Sequence, residues 1–212
     1  MELNGKKVNF LGDSITQGVG VSAPDKKYVE VFARKYGVAV ARNYGISGTR
    51  IARQINPTEA NPSFDKNYCD RVAEMDTDAD IVVIFGGTND FGHGDAPFGS
   101  FSDRTPDTFY GACHTLCSRI IERFPEAEIV IMTPLHRAIE DRENRPSLCE
   151  FVKAIREVAE FYSIPVLDLY KNAGIQPMLE VNKAKYAPDG LHPNDKGAER
   201  IADRLGAFLE TL

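Results

Sequence analysis

The chain has 212 residues, 42% of them hydrophobic, with 25 Lys+Arg against 31 Asp+Glu and a net charge of −6. That length suits a single domain over 1–212, with one core able to bury most of its apolar surface. An acidic balance without a Lys/Arg-rich run argues against nucleic acid or an anionic membrane as partner, and no run approaches the roughly 18 apolar residues of a membrane span. The opening Met1 to Lys7 leads directly into an apolar run with no secretory leader pattern, so a cytoplasmic location is expected.

Strand-like runs then alternate with helical spacing. Residues 8–11 predict a first strand, ending in Gly12-Asp13-Ser14-Ile15-Thr16. Tyr28, Val31, Phe32 and Lys35-Tyr36 predict a helix over 25–36, which Gly37 ends. Residues 38–42 predict a second strand, followed by the glycine-rich turn Asn43-Tyr44-Gly45-Ile46-Ser47-Gly48-Thr49. Two Asn-Pro breaks make 53–65 a loop, and 66–75 reads as helix.

Residues 80–85 are apolar and β-branched, the pattern of a buried parallel strand, and end in Gly86-Gly87-Thr88-Asn89-Asp90. A long loop over 91–106 is expected next, its length marking it as functional. Phe109, Cys113, Leu116, Ile120 and Phe124 predict a long helix, 128–132 a fourth strand, and 133–145 a polar loop. Leu148 to Tyr162 carries another helical stripe, and 165–168 a fifth strand. Residues 169–187 read as irregular. Asp189-Gly190-Leu191-His192-Pro193 then precedes a last helix carrying Ala198, Ile201, Leu205 and Phe208, with Asn194 placed to cap it.

Five strands separated by helices imply a parallel sheet covered on both faces, an α/β/α sandwich. Such sheets bind ligands beyond the carboxyl ends of their strands. The segments after strands one, two and three fall there, and a flavodoxin-like order 2-1-3-4-5 would gather them; the sequence alone leaves the order open.

Ser14, at a strand-to-helix turn, can be a cap, a phosphate ligand or a nucleophile. Asp189 and His192, three apart across a glycine turn, can place a carboxylate beside an imidazole; they can equally form a surface turn. The Asn89 amide and the backbone amides of Ser14 and Gly48 can donate to an oxyanion, and glycine at 48 allows close approach of a carbonyl.

With these blocks in view, the chain resembles the SGNH hydrolases, the GDSL-like lipase/acylhydrolase superfamily. The resembling stretches are Gly12-Asp13-Ser14-Ile15-Thr16, Asn43 to Thr49, Gly87-Thr88-Asn89-Asp90 and Asp189 to Pro193; Ile15 stands where the family's name motif has leucine. The resemblance implies a flavodoxin-like α/β/α fold and ester hydrolysis without metal or cofactor. It implies Ser14 as nucleophile, Gly48 and Asn89 in the oxyanion hole, His192 as base and Asp189 as its partner.

Around these positions, Asp13 and Asp90 are expected in the site region as acceptors holding the loops. His93 and His136 are candidates for the substrate-pocket wall, and His114 is expected to be structural. Arg50 and Arg53 could meet an anionic substrate, but a solvated face is the expectation for both. Cys69, Cys113, Cys117 and Cys149 are expected to be free structural thiols. The expected partner is a small-molecule ester; oligomeric state leaves no readable mark. Polar loops at 53–65, 91–106 and 133–147, with Phe64, Phe91, Phe98 and Phe101 as their large apolar groups, favour a short acyl chain on a polar carrier such as an O-acetylated sugar. The alternatives are a lipid acylhydrolase of lysophospholipase or thioesterase type, a metal-dependent phosphoesterase using Asp13, Asp90, Asp189 and His192, and an FMN-binding flavodoxin-like protein.

Overall fold

The computed structural model describes residues 1–212. Its elements in chain order are β1 (Lys7–Gly12), α1 (Ser14–Gln17), α2 (Tyr28–Tyr36), β2 (Val40–Gly45), α3 (Tyr68–Arg71), β3 (Ile81–Phe85), α4 (Thr88–His93), α5 (Phe109–Arg123), β4 (Glu128–Met132), α6 (Leu148–Phe161), β5 (Val166–Leu167), α7 (Leu169–Asn172), α8 (Glu180–Tyr186) and α9 (Asp195–Leu209). The five strands form one parallel sheet in the order β2-β1-β3-β4-β5. This is the flavodoxin-like order.

Strand alternation sends side chains to two cores. Val8, Phe10, Ile81, Val83, Phe85, Val130 and Met132 pack with α2 and α9 on one face. Leu11, Val82, Ile84 and Ile131 pack with α3, α5 and α6 on the other. Neither face is left to solvent, which is why β3 reads as an unbroken apolar run.

Register sets the site. Gly12 lies opposite both Gly45 and Phe85, so β1, β2 and β3 end at one level. The segments that follow these three residues therefore leave the sheet side by side. The buried carbonyls at these strand ends can accept further donors. The buried Arg71 guanidinium donates to Gly12 O at 3.1 Å beside the bond from Ile46 N, to Thr49 Oγ1 at 3.0 Å and to Tyr44 O. Tyr68 Oη donates to Phe85 O at 2.9 Å. One short helix, α3, thus closes the ends of three strands.

Several boundaries differ from the sequence reading. β2 begins at Val40, because its register with β1 starts at Lys7, and it runs through Asn43 to Gly45, which read as turn. The expected 91–106 loop is shortened, because Phe91 to His93 complete α4. Residues 169–187 are not irregular throughout: Asp168 caps α7 by accepting from Lys171 N, and α8 follows. β5 keeps only two paired residues. All four cysteines are free, with Cys69, Cys113 and Cys117 buried. No helix is long and apolar enough to cross a membrane.

Replacing Arg71 with Met removes the guanidinium from the buried Gly12 and Tyr44 carbonyls and the Thr49 hydroxyl, leaving Gly12 O only its bond from Ile46 N. The expected loss is about 3 kcal/mol of unfolding free energy, read from urea denaturation. An unchanged midpoint would rule out the strand-end role.

Candidate active site

β1 ends at Gly12, where no side chain fits: a Cβ would lie 1.9 Å from Thr16 Oγ1. Asp13 caps the single turn of α1, accepting from Ile15 N at 2.9 Å. The cap is therefore Asp13, which leaves the Ser14 hydroxyl at the first helical position free for another partner. Thr16 anchors the turn, its Oγ1 lying 3.0 Å from Tyr28 Oη and its carbonyl accepting from Asn43 Nδ2 at 2.6 Å.

That partner comes from the far end of the chain. His192 Nε2 lies 3.0 Å from Ser14 Oγ, and His192 Nδ1 lies 2.7 Å from Asp189 Oδ2. Asp189 Oδ1 accepts from Leu191 N at 2.8 Å and His192 N at 2.7 Å, so the carboxylate also folds the turn that presents the imidazole. Burial alone would raise the Asp189 carboxyl; hydrogen bonds from the His192 ring and the two amides outweigh it and hold the group below the usual carboxylate range. An ionised Asp189 keeps the proton on Nδ1 and leaves Nε2 to accept from the serine hydroxyl.

Two contacts hold the turn against the serine side. Gly20 passes so close that a Cβ would meet Pro193 O at 2.7 Å and His192 Cβ at 3.0 Å. Asp195, in the first turn of α9, accepts from Ser22 N at 2.8 Å and Ser22 Oγ at 2.6 Å.

The other two blocks lean on the same place. Ser47 N and Oγ donate to Gln17 Oε1 of α1 at 2.7 and 2.6 Å, and Ile46 N donates to Gly12 O at 3.1 Å. Gly48 has φ +74°, and a Cβ there would strike the Phe64 ring at 2.3 Å. Asn89, in the first turn of α4, donates from Nδ2 to Thr49 O at 3.0 Å, linking the Gly48 turn to α4. Asp90 completes the link, accepting from Ala52 N at 2.9 Å and Ile51 N at 3.0 Å.

Asp13 and Asp90 are both buried with carboxylates directed at backbone amides, so neither opens toward a substrate. Burial raises each carboxyl to about 6, against the opposing pull of those amides. His93 stands at the end of α4, its Nδ1 2.8 Å from Arg50 Nη1 and its ring 5.6 Å from that of Phe64. His136 stacks on Tyr170 at 3.9 Å and pairs through Nδ1 with Glu140 at 2.7 Å. His114 is buried among Phe101, Phe161 and Tyr162.

Arg50 is a correction. It is not on a solvated face but 97% buried by its 3% exposure, bonded to Asp65, Thr58 and His93. Arg53 is half-exposed and pairs with Asp107. Arg71 and Tyr68 are residues that the sequence reading missed. No group of three or more His, Cys, Asp and Glu side chains is placed to hold a metal ion.

The chain belongs to the GDSL-like Lipase/Acylhydrolase family, whose profile matches residues 10–200. The family match marks the chain as a hydrolase acting on esters. Among solved structures it is similar to one 32% identical, with 100% of this chain and 99% of that chain covered and a TM-score of 0.87. It is also similar to a protein of Lactobacillus plantarum, 28% identical over 98% of each chain with a TM-score of 0.87. The lipase/acylhydrolase of Enterococcus faecalis is 25% identical over 97% of this chain and 96% of that chain, with a TM-score of 0.66. No curated protein matches it.

The raised Asp90 carboxyl makes a pH prediction. A folded-state value above the unfolded one favours folding at low pH, and that contribution is lost as pH rises from about 4 through about 6. Asp90→Asn has a constant offset from its lost acceptor but no such loss. Its unfolding free energy relative to wild type should therefore rise by about 3 kcal/mol between pH 4 and pH 7, measured by denaturant titration. A flat difference would contradict the raised value.

Proposed function

We propose that residues 1–212 act as one hydrolase unit that cleaves a carboxylic ester through an acyl-Ser14 intermediate. The observation carrying this reading is the chain Ser14 Oγ–His192 Nε2–Asp189 at 3.0 and 2.7 Å. It joins residues 178 apart in sequence, which a mere surface turn at Asp189 would not require.

In this mechanism His192 Nε2 takes the Ser14 proton as Oγ attacks the acyl carbonyl. Asp189 orients the ring and stabilises the imidazolium. The oxyanion is received by the Ser14 and Gly48 amides and the Asn89 side chain. His192 then protonates the leaving alcohol. In the second half it takes a proton from water, which attacks the acyl carbon, and passes that proton to Ser14 Oγ as the acyl–Oγ bond breaks and the acid leaves.

The packing of the loop phenylalanines supports a short acyl group on a polar carrier. Phe91 is buried, Phe98 packs on Phe109 and Phe151, and Phe101 packs on Tyr110 and Phe161. Only Phe64 of the four lies against Gly48, leaving little apolar wall for a long chain. A lipid acylhydrolase is the second reading, favoured by Ile55 and Ile139, which stand exposed on the loops after β2 and β4. An acyl-length series separates them: rates should be highest for acetyl to butyryl esters, and a preference for chains of about eight carbons or more would select the lipid reading.

A fluorophosphonate probe should label Ser14 and fail on Ser14→Ala. That variant should lose p-nitrophenyl acetate hydrolysis, and Asn89→Ala should lower turnover on the order of 100–1,000-fold. Full activity in Ser14→Ala would refute the assignment.

A further inference from the structure

The loop after β4 carries three arginines, and all three rest on α4, the helix that holds Asn89. Arg137 Nη1 donates to Thr88 O at 3.0 Å, and its guanidinium lies over the Phe91 ring, 5.2 Å from the centroid. Arg142 covers the same ring at 5.4 Å, and Arg145 donates to Gly94 O. Gly92 makes room, since a Cβ there would meet Arg137 Nη1 at 2.9 Å. The next residue along, Ala138, donates its amide to Gly190 O at 2.8 Å, inside the turn between Asp189 and His192. The loop therefore spans from the Asn89 helix to the histidine turn.

None of Arg137, Arg142 and Arg145 is ion-paired with a carboxylate, in a chain that has more acids than bases. The neighbouring acids are engaged elsewhere. Glu140 accepts from Tyr170 Oη and Arg137 N and pairs with His136. Asp65 accepts from Arg50 and Thr58, and Asp95 from the amides of Ile55 and Asn56. Asp141 and Glu143, on the loop itself, are exposed and form no ion pair.

His93 adds a further donor. Arg50 has only N–H groups to offer, so their 2.8 Å contact makes His93 Nδ1 the acceptor and leaves the ring proton on Nε2. Burial, with Arg50, Arg137 and Arg142 close by, pushes the ring down to about 4, so it is neutral at neutral pH. Arg137, Arg142 and His93 thus present N–H groups beside α4.

We propose that this donor patch binds an anionic group, carboxylate or phosphate, carried by the ester substrate. Guanidinium forks match the two oxygens of such groups, and a cleft of one sign concentrates ligands of the other. The inference rests on the ester-hydrolase reading above and names the charge of its substrate.

Two matched pairs of esters test it on the full chain, each corrected for its rate without enzyme, which for the hemisuccinate includes attack by its own carboxylate. 4-Nitrophenyl butyrate against 4-nitrophenyl hemisuccinate places the charge on the acyl group. Phenyl acetate against 4-acetoxybenzoate places it on the leaving alcohol. In at least one pair kcat/KM should favour the anion on the order of tenfold, chiefly through KM, and the preference should fall as salt is added. Arg142→Gln should reduce it and Arg137→Gln/Arg142→Gln should remove it, with circular dichroism confirming the fold and Arg142→Lys restoring part. Equal or neutral preference in both wild-type pairs, or an anion preference surviving in the double variant, overturns the proposal. If all four esters are inert and Ser14 resists the fluorophosphonate, the hydrolase reading fails and this proposal with it.

Discussion

Beneath the candidate site, the Arg71 guanidinium donates to a carbonyl at the end of each of two strands, Gly12 O of β1 and Tyr44 O of β2, while holding the Thr49 hydroxyl. That contact is the constraint on which the rest depends. Ser14 follows β1 by two residues and Gly48 follows β2 by three. Any splay between those strand ends would separate the hydroxyl from the Gly48 amide. A guanidinium suits the task because its donors diverge in a fixed plane, where a lysine has one rotating head. Its burial is the cost of that geometry, and the carbonyls it meets compensate it.

A second layer, of buried carboxyl groups, lies one step further out. Asp13 and Asp90 sit beside Ser14 and Asn89, and each is spent on the backbone: one starts α1, the other gathers Ile51 and Ala52. Both are acids that burial makes reluctant to ionise. Asp189 has the opposite character, since two amides and an imidazole favour its charged form. Neighbouring carboxyls of one chemical type are thus set apart by surroundings alone, and only the one touching His192 is held charged.

Much of this was legible in the sequence because it is local. A glycine after an apolar run, an aspartate three residues before a histidine and an asparagine before α9 each act within a few residues of themselves, and Asn194 caps α9 as its position suggested. The misses come from long-range placement. Arg50 sits in a polar loop and reads as solvated, yet its partners Asp65 and His93 arrive from 15 and 43 residues away. Arg71 and Tyr68 lie in a helix of four residues, too short to show a face. α8 was invisible for the reverse reason: Val181 is 80% exposed and only Tyr186 is buried, so there is no apolar stripe to read. The start of β2 is set by pairing with Lys7, and such pairing has no local mark.

The tie between Ser22 and Asp195 and the close pass of Gly20 beside His192 have a consequence in time. During synthesis Ser14 emerges 178 residues before His192. All five strands can be made before the imidazole exists to meet the serine hydroxyl. The two come together when α9 docks against α2 and brings the turn with it. On the proposed mechanism, a chain halted anywhere between the end of β5 and residue 192 owns a sheet and has no means of attacking an ester, so the order of translation itself keeps such unfinished chains chemically silent.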